Sequence, residues 1–387
     1  MGVRDASATS SHRRRPSGGR GSDALLRRAQ DAAVRSVSRG EGGRTGQCPG
    51  NPGPPVRTRA EGADPDRTMR AEGRRVSTPR NRPNILYLFT DQQSASMMSC
   101  AGNRHVDTPA MDSLAQTGTR FTRAYCTNPV CVPSRTSMFS GRMPGHFGIT
   151  ANADGRAARV TDTDLRNSMG QLFARAGYEV VYAGKKHLPA AMQPDDMAFT
   201  TLTTDSREGL SAACVEFLRR DHDRPFLLAA SFVNPHDICF MSLDAYAKAT
   251  DGPLAYPDSK RPREVLREEA RIPEGTSEAE FLAARCPPLP DNHGVTAHEP
   301  GYYTLGDRAA RIRYVRERWT ERDWRHYRYA YARLTERVDR QIGAVLAALR
   351  ECGLEERTVV VFSSDHGEMN GSHKMVVKST FYEEAST

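Results

Sequence analysis

Residues 324–362 read WRHYRYAYARLTERVDRQIGAVLAALRECGLEERTVVVF. Within them Trp324, Tyr327, Tyr331, Leu334, Val338, Ile342, Val345 and Leu349 follow one another at steps of three or four. That spacing is one face of a long amphipathic helix. Gly353 is placed to end it, and Thr358-Val-Val-Val-Phe362 then reads as a buried strand. The same unit recurs upstream. Asn84-Ile-Leu-Tyr-Leu-Phe89 is a continuous apolar run, and Thr108-Pro109 supplies an N-cap and a first-turn proline for a helix that Gly118 closes. A second helix is predicted over about 165–176, stopped by Gly177 and feeding a strand at Glu179–Ala183. A third, about 210–220, precedes a strand over 225–232. Helices alternating with fully apolar strands predict an α/β fold: a mostly parallel central sheet flanked by helices on both faces.

Two segments fall outside this pattern. Between about 240 and 318 the sequence turns Pro- and charge-rich. Pro257, Pro262, Pro273, Pro287, Pro288 and Pro290 predict an irregular insertion without long regular elements. Residues 1–80 contain no Phe, Trp, Tyr, Ile or Lys, and carry 17 Arg against 8 acidic residues. Such a segment buries too little apolar area to offset its ordering entropy, so a disordered tail is expected, with Met69 as an alternative start. The whole chain holds 55 basic and 47 acidic residues, so residues 81–387 hold 38 and 39. The basic excess therefore belongs to the tail, which excludes a nucleic-acid partner argued from overall charge. Eight cysteines without a framework spacing, no secretory apolar core and no membrane-spanning run predict a reducing, cytoplasmic setting.

The polar residues gather where the strands end. Asp91-Gln92 follows the first strand, Lys185 and His187 the second, His236-Asp237 the third and Asp365-His366 the fourth. Sites in parallel α/β sheets form beyond the carboxyl ends of the strands, so four loops are expected to converge on one edge. A fifth element is Cys131-Val-Pro-Ser-Arg135, after which a helix is predicted from Thr136 onward. A cysteine at a helix start has a depressed pKa and suits a nucleophile or a metal ligand. Taken alone, a lone cysteine is more often a small buried hydrophobe.

The neighbouring residues decide against that bland reading. Cys131-x-Pro-x-Arg135 resembles the sulfatase signature, in which the cysteine is oxidised to formylglycine. Pro83-Asn-Ile-Leu, Thr90-Asp-Gln-Gln93, Ser140-Gly-Arg-Met-Pro144, Gly184-Lys-Lys-His-Leu188, Asn234-Pro-His236, Ser364-Asp-His-Gly-Glu368 and Lys378-Ser-Thr-Phe-Tyr-Glu383 are similar, in order, to further blocks of that family. The resemblance implies the alkaline-phosphatase-like fold and hydrolysis of sulfate esters. It also implies one divalent ion: Ca²⁺ first, with Mn²⁺ or Mg²⁺ as alternatives, since an imidazole joins the oxygen donors. By matching position the ligands would be Asp91, Gln92, Asp365, His366 and the converted Cys131.

The resemblance likewise implies roles. Arg135 would hold the hydrated aldehyde and its charge. Lys185 and Lys378 would bind sulfate oxygens, His187 would take the proton that releases sulfate, and His236 would protonate the leaving oxygen. Asn152 is a further candidate for substrate contact. Implied partners are a sulfated small molecule or carbohydrate and the formylglycine-generating enzyme. Relatives continue beyond the block at Tyr382-Glu-Glu384 with another strand and a smaller C-terminal subdomain, which is expected to be missing here. Two rivals remain: a phosphonate monoester hydrolase or phosphodiesterase of the same superfamily, and an inactive remnant.

Overall fold

The computed structural model describes residues 82–304 and 306–387. The expected disordered tail and the alternative start at Met69 lie outside the described residues. Five strands form one sheet in the order β3-β2-β4-β1-β5, and every pairing is parallel. In chain order the elements are β1 (Asn84–Asp91), α1 (Pro109–Thr117), α2 (Cys131–Ser140), α3 (Asp162–Arg166), α4 (Met169–Arg175), β2 (Glu179–Gly184), β3 (Thr200–Thr203), α5 (Glu208–Leu218) and β4 (Phe226–Pro235). Then follow α6 (Cys239–Ala249), α7 (Lys260–Glu269), α8 (Glu278–Ala284), α9 (Gly306–Arg318), α10 (Glu321–Glu351), β5 (Thr358–Ser364) and α11 (Glu383–Ser386).

Strand alternation sorts the core into two layers. Leu86, Leu88, Leu228, Ala230 and Phe232 face α5 and α10 through Leu210, Cys214, Val338, Ile342 and Val345. Phe89, Leu227 and Ala229 face the opposite side, against Phe139 of α2 and the Tyr178–Tyr182 region. The sheet is therefore covered on both faces, as expected. All eight residues of the α10 stripe are buried. The upper half of the stripe (Trp324, Tyr327, Tyr331, Leu334) packs against α6 and α7, and the lower half against the sheet. One helix thus ties the insertion to the sheet. Ile342→Ala, at the centre of the lower half, is expected to cost about 2–5 kcal/mol by urea unfolding.

Four expectations need correction. The 240–318 segment is not irregular: it carries α6, α7, α8 and α9. Its prolines sit between these helices, except Pro262, which occupies the first turn of α7 where no N–H is needed. The single helix over 165–176 is two short ones, separated by Asn167 and an extended Ser168. β5 is an edge strand whose Val359 and Val361 are exposed, rather than a buried one. Thr108 precedes α1 but makes no cap bond; its hydroxyl serves Ser99 and Asp112 instead. Asp339 of α10 accepts the N–H groups of Ala110 and Met111 in its place. The polar strand β3 had no apolar signature and was not anticipated. No helix of the described residues is long and apolar enough to cross a membrane.

Candidate active site

The carboxyl ends of β1, β2, β4 and β5 and the start of α2 meet at one place. Ligand atoms of Asp91, Cys131, Asp365 and His366 all lie within 4.8 Å of one another, and all four residues are buried. Cys131 Sγ stands 3.3 Å from His366 Nε2 and 3.8 Å from Asp91 Oδ1. Lys378 Nζ lies 3.1 Å from the same sulfur, and Lys185 Nζ lies 2.5 Å from Asp91 Oδ2.

Local structure explains the convergence. α2 begins at Cys131, five residues before the expected start, so Cys131 and Arg135 share one helix face a turn apart. Arg135 is fully buried and spans both carboxylates: Nε donates to Asp365 at 2.7 Å and Nη2 to Asp91 at 3.0 Å. Its Nη1 donates to Ser231 Oγ and to the Lys185 carbonyl. Lys185 is turned inward by Gly184, whose φ of 93° suits glycine, and any Cβ there would collide with the Ser231 carbonyl oxygen. Val130 offers α2 no side-chain cap; the missing acceptor comes from Asn152, whose Oδ1 takes the Val132 N–H at 2.9 Å. Asn152 therefore spends its carbonyl on the helix that presents Cys131.

Electrostatics follow from this packing. Burial, then Asp91, pushes the Cys131 thiol up, but Lys378, Lys185 and His366 outweigh both and hold it well below its ordinary value. Burial raises Asp91 too, yet Lys185, Lys378, His236 and Arg135 keep its carboxyl far below the usual range. Asp365 goes the other way, pushed up by burial and by the neighbouring Asp91. Burial, with Lys185 and Lys378 beside it, lowers His236 to about 3. The imidazole is thus neutral at pH 7.

Other expected positions lie differently. Gln92 adjoins the cluster, but its amide Nε2 donates to Glu368 at 2.5 Å and its Oε1 accepts from Cys239 at 3.2 Å. Its backbone N–H is what reaches Asp365, at 3.1 Å. His187 is exposed with a φ of 42°, and the contacts that join the cluster do not include it. Ser231, Cys239 and Glu368 were not singled out from sequence. Glu368 stood inside a recognised block, and only its burial separates it from a solvated glutamate.

The sulfatase family model matches residues 83–385. The chain belongs to the sulfatase family. It is 28% identical over 323 residues to the Delta 4,5-hexuronate-2-O-sulfatase of Bacteroides thetaiotaomicron, an alignment covering 78% of this chain and 60% of that relative. A solved 2-O GAG sulfatase superposes with a TM-score of 0.61 at 26% identity, covering 79% of this chain and 63% of the other. The phosphonate monoester hydrolase of Agrobacterium radiobacter shares the fold, with a TM-score of 0.50, 21% identity, and coverage of 79% and 66%. The chain spans about three fifths of the length of the curated hexuronate sulfatase. The expected alkaline-phosphatase-like α/β architecture of the sulfatases is the one observed.

The donor set of this sulfatase-family chain suits a divalent ion. Two buried carboxylates supply hard oxygens. His366 Nδ1 lies 3.0 Å from the Gly367 carbonyl, and a ring donating there directs Nε2 at the cluster. The residues present fit the ion that the family implies.

Proposed function

We propose that this chain is the catalytic part of a sulfuric ester hydrolase acting through formylglycine made from Cys131, with one divalent cation, Ca²⁺ first. The observation that carries the reading is the placing of Cys131 Sγ, at a helix start, within 3.3 Å of both Lys378 Nζ and His366 Nε2 beside two buried carboxylates. Asp91, Asp365, His366 and residue 131 would hold the ion, which draws charge off a tetrahedral anion when bound. A hydrated aldehyde supplies two hydroxyls on one carbon, one to attack sulfur and one to expel sulfate.

The chain's own residues do the rest. Lys185 and Lys378 present fixed positive charge to the ester oxygens in a largely dry pocket, where it counts most. Arg135 keeps both carboxylates oriented. His236, directly after β4 at the same edge and neutral at pH 7, would offer its ring N–H to the leaving oxygen. His187, exposed as it stands, would have to turn inward to accept the proton that releases sulfate; Lys378, which Cys131 and Asp91 hold as the ammonium, serves as charge and not as a base. Asn152 keeps α2 capped and leaves its amide nitrogen for substrate. A sulfated carbohydrate is the substrate class we favour, because the hexuronate sulfatase among the relatives acts on one by name. The seven described cysteines are free thiols, which supports maturation in a reducing compartment.

The test has two steps. Protein co-expressed with a formylglycine-generating enzyme is probed at residue 131 with an aldehyde-reactive hydrazide, and then given an aryl sulfate and an aryl phosphonate monoester. The expected outcome is a labelled residue 131 and a higher kcat/KM on the sulfate. An unlabelled residue 131 would remove the mechanism, and a faster phosphonate reaction would move the chain to the rival branch. Protein without cooperative unfolding would be the inactive remnant.

A further inference from the structure

Glu368 is fully buried, and no ion pair gives its carboxylate a cation among the described residues. Four donors surround it instead. Gln92 Nε2 donates to Oε2 at 2.5 Å, and Tyr327 Oη donates to Oε1 at 2.8 Å. The backbone N–H groups of Val377 and Asn370 also point at Oε1, the second at 3.3 Å.

Three of the four come from residues in the left-handed region: Gln92 at φ 70°, Asn370 at 45° and Val377 at 65°. Non-glycine residues visit that region rarely, and a β-branched valine most rarely of all. Such a conformation persists only where its surroundings impose it, and it clusters at functional sites. Here one carboxylate meets all three. Gln92 directly follows Asp91, and Val377 directly precedes Lys378. Glu368 itself lies two residues after His366, with its backbone N–H near Ser94 Oγ and the Glu384 carbonyl. The three loops that deliver Asp91, Asp365-His366 and Lys378 thus share a single anchor.

We propose that Glu368 is a positioning residue of the active site, holding the loop after β1 and the 370–378 loop in the strained backbone that places Asp91 and Lys378. It touches neither substrate nor metal. A buried charge without a cation is costly, and four donors converging on it make the arrangement self-consistent. The inference deepens the sulfatase reading and rests on it for its kinetic measurements only.

Three variants separate positioning from bulk stability. Glu368→Asp keeps the charge but withdraws the carboxylate by about 1.5 Å, one bond length, so it cannot reach every donor. Its kcat on an aryl sulfate should fall about 10–100-fold, with a much smaller change in KM. Deuterium exchange of peptides over 370–379 should accelerate about tenfold, the equivalent of a lost hydrogen bond. Glu368→Gln keeps the length; with the Gln92 amide turned over, it restores acceptors to both loops and should keep kcat within about tenfold of wild type. Tyr327→Phe removes the one donor that comes from α10 rather than from a loop. It should lower the melting temperature while leaving kcat and the 370–379 exchange close to wild type.

Wild-type kcat and exchange in a folded Glu368→Asp would overturn the assignment. So would a kcat loss in Tyr327→Phe equal to that of Glu368→Asp at the same folded fraction. Should wild type hydrolyse no sulfate ester, the sulfatase reading fails alone, because the exchange comparison still decides the role of Glu368.

Discussion

Cys131→Ala is expected to lower kcat on a sulfate ester by at least about 10⁴-fold, the scale for deleting a nucleophile, while the fold survives. Both halves follow from the geometry. The side chain is fully buried, and alanine leaves α2 intact because its cap comes from Asn152 and its side-chain anchors from Ser134 and Arg135. Lys378 loses the sulfur at 3.1 Å but keeps Asp91 Oδ1 at 3.6 Å, so no charge is stranded. Removing one buried atom of this size costs on the order of 1 kcal/mol. Thermal unfolding should therefore shift by a few degrees, while turnover vanishes. Turnover at the wild-type rate in this variant would end any mechanism built on residue 131.

What the sequence revealed and what it concealed divide along physical lines. The α10 stripe and the apolar runs of β1, β2 and β4 were legible because burial on a regular element imposes a period. The placing of Asp91, Lys185, His236 and Asp365 was legible because a parallel sheet gathers its strand ends at one edge. β3 escaped because Thr200–Thr203 is polar and lies at the margin of the sheet. β5 looked buried because an apolar run is the same whether its second face is covered or not. The helices of the 240–318 segment were hidden by prolines that punctuate them from outside. Gln92 and Asn152 show a further limit. Sequence can say that a polar side chain stands near a site, but not which way it turns. One faces Glu368 and Cys239, and the other caps a helix. Glu368 could be named as part of a block and not as an anchor, because its role lies in three backbone turns that no local pattern announces.

Arg135 carries the largest stability effect in the site, and that effect should depend on the metal. Its guanidinium donates to Asp91 and to Asp365 while all three side chains are shut off from water. Arg135→Met keeps the apolar stem against Phe89, over whose ring the guanidinium sits at 5.3 Å, but leaves two adjacent carboxylates without their bridge. Breaking a buried ion pair from one side costs about 3–5 kcal/mol. Part of that is relieved when one carboxyl takes up a proton, and Asp365, already pushed up by burial and by Asp91, is the one to do so. A divalent cation held between the same carboxylates offers a second relief. The destabilisation of Arg135→Met, measured by denaturant unfolding, should accordingly be near its full size in EDTA and smaller in excess Ca²⁺. The wild type itself should gain about 2.7 kcal/mol in Ca²⁺ at a hundred times its Kd. Arg135→Lys should recover little, since a single ammonium cannot fork to two carboxylates. A loss below about 1 kcal/mol in EDTA would show that the guanidinium does not bridge them. An equal loss with and without Ca²⁺ would show that the cation binds elsewhere.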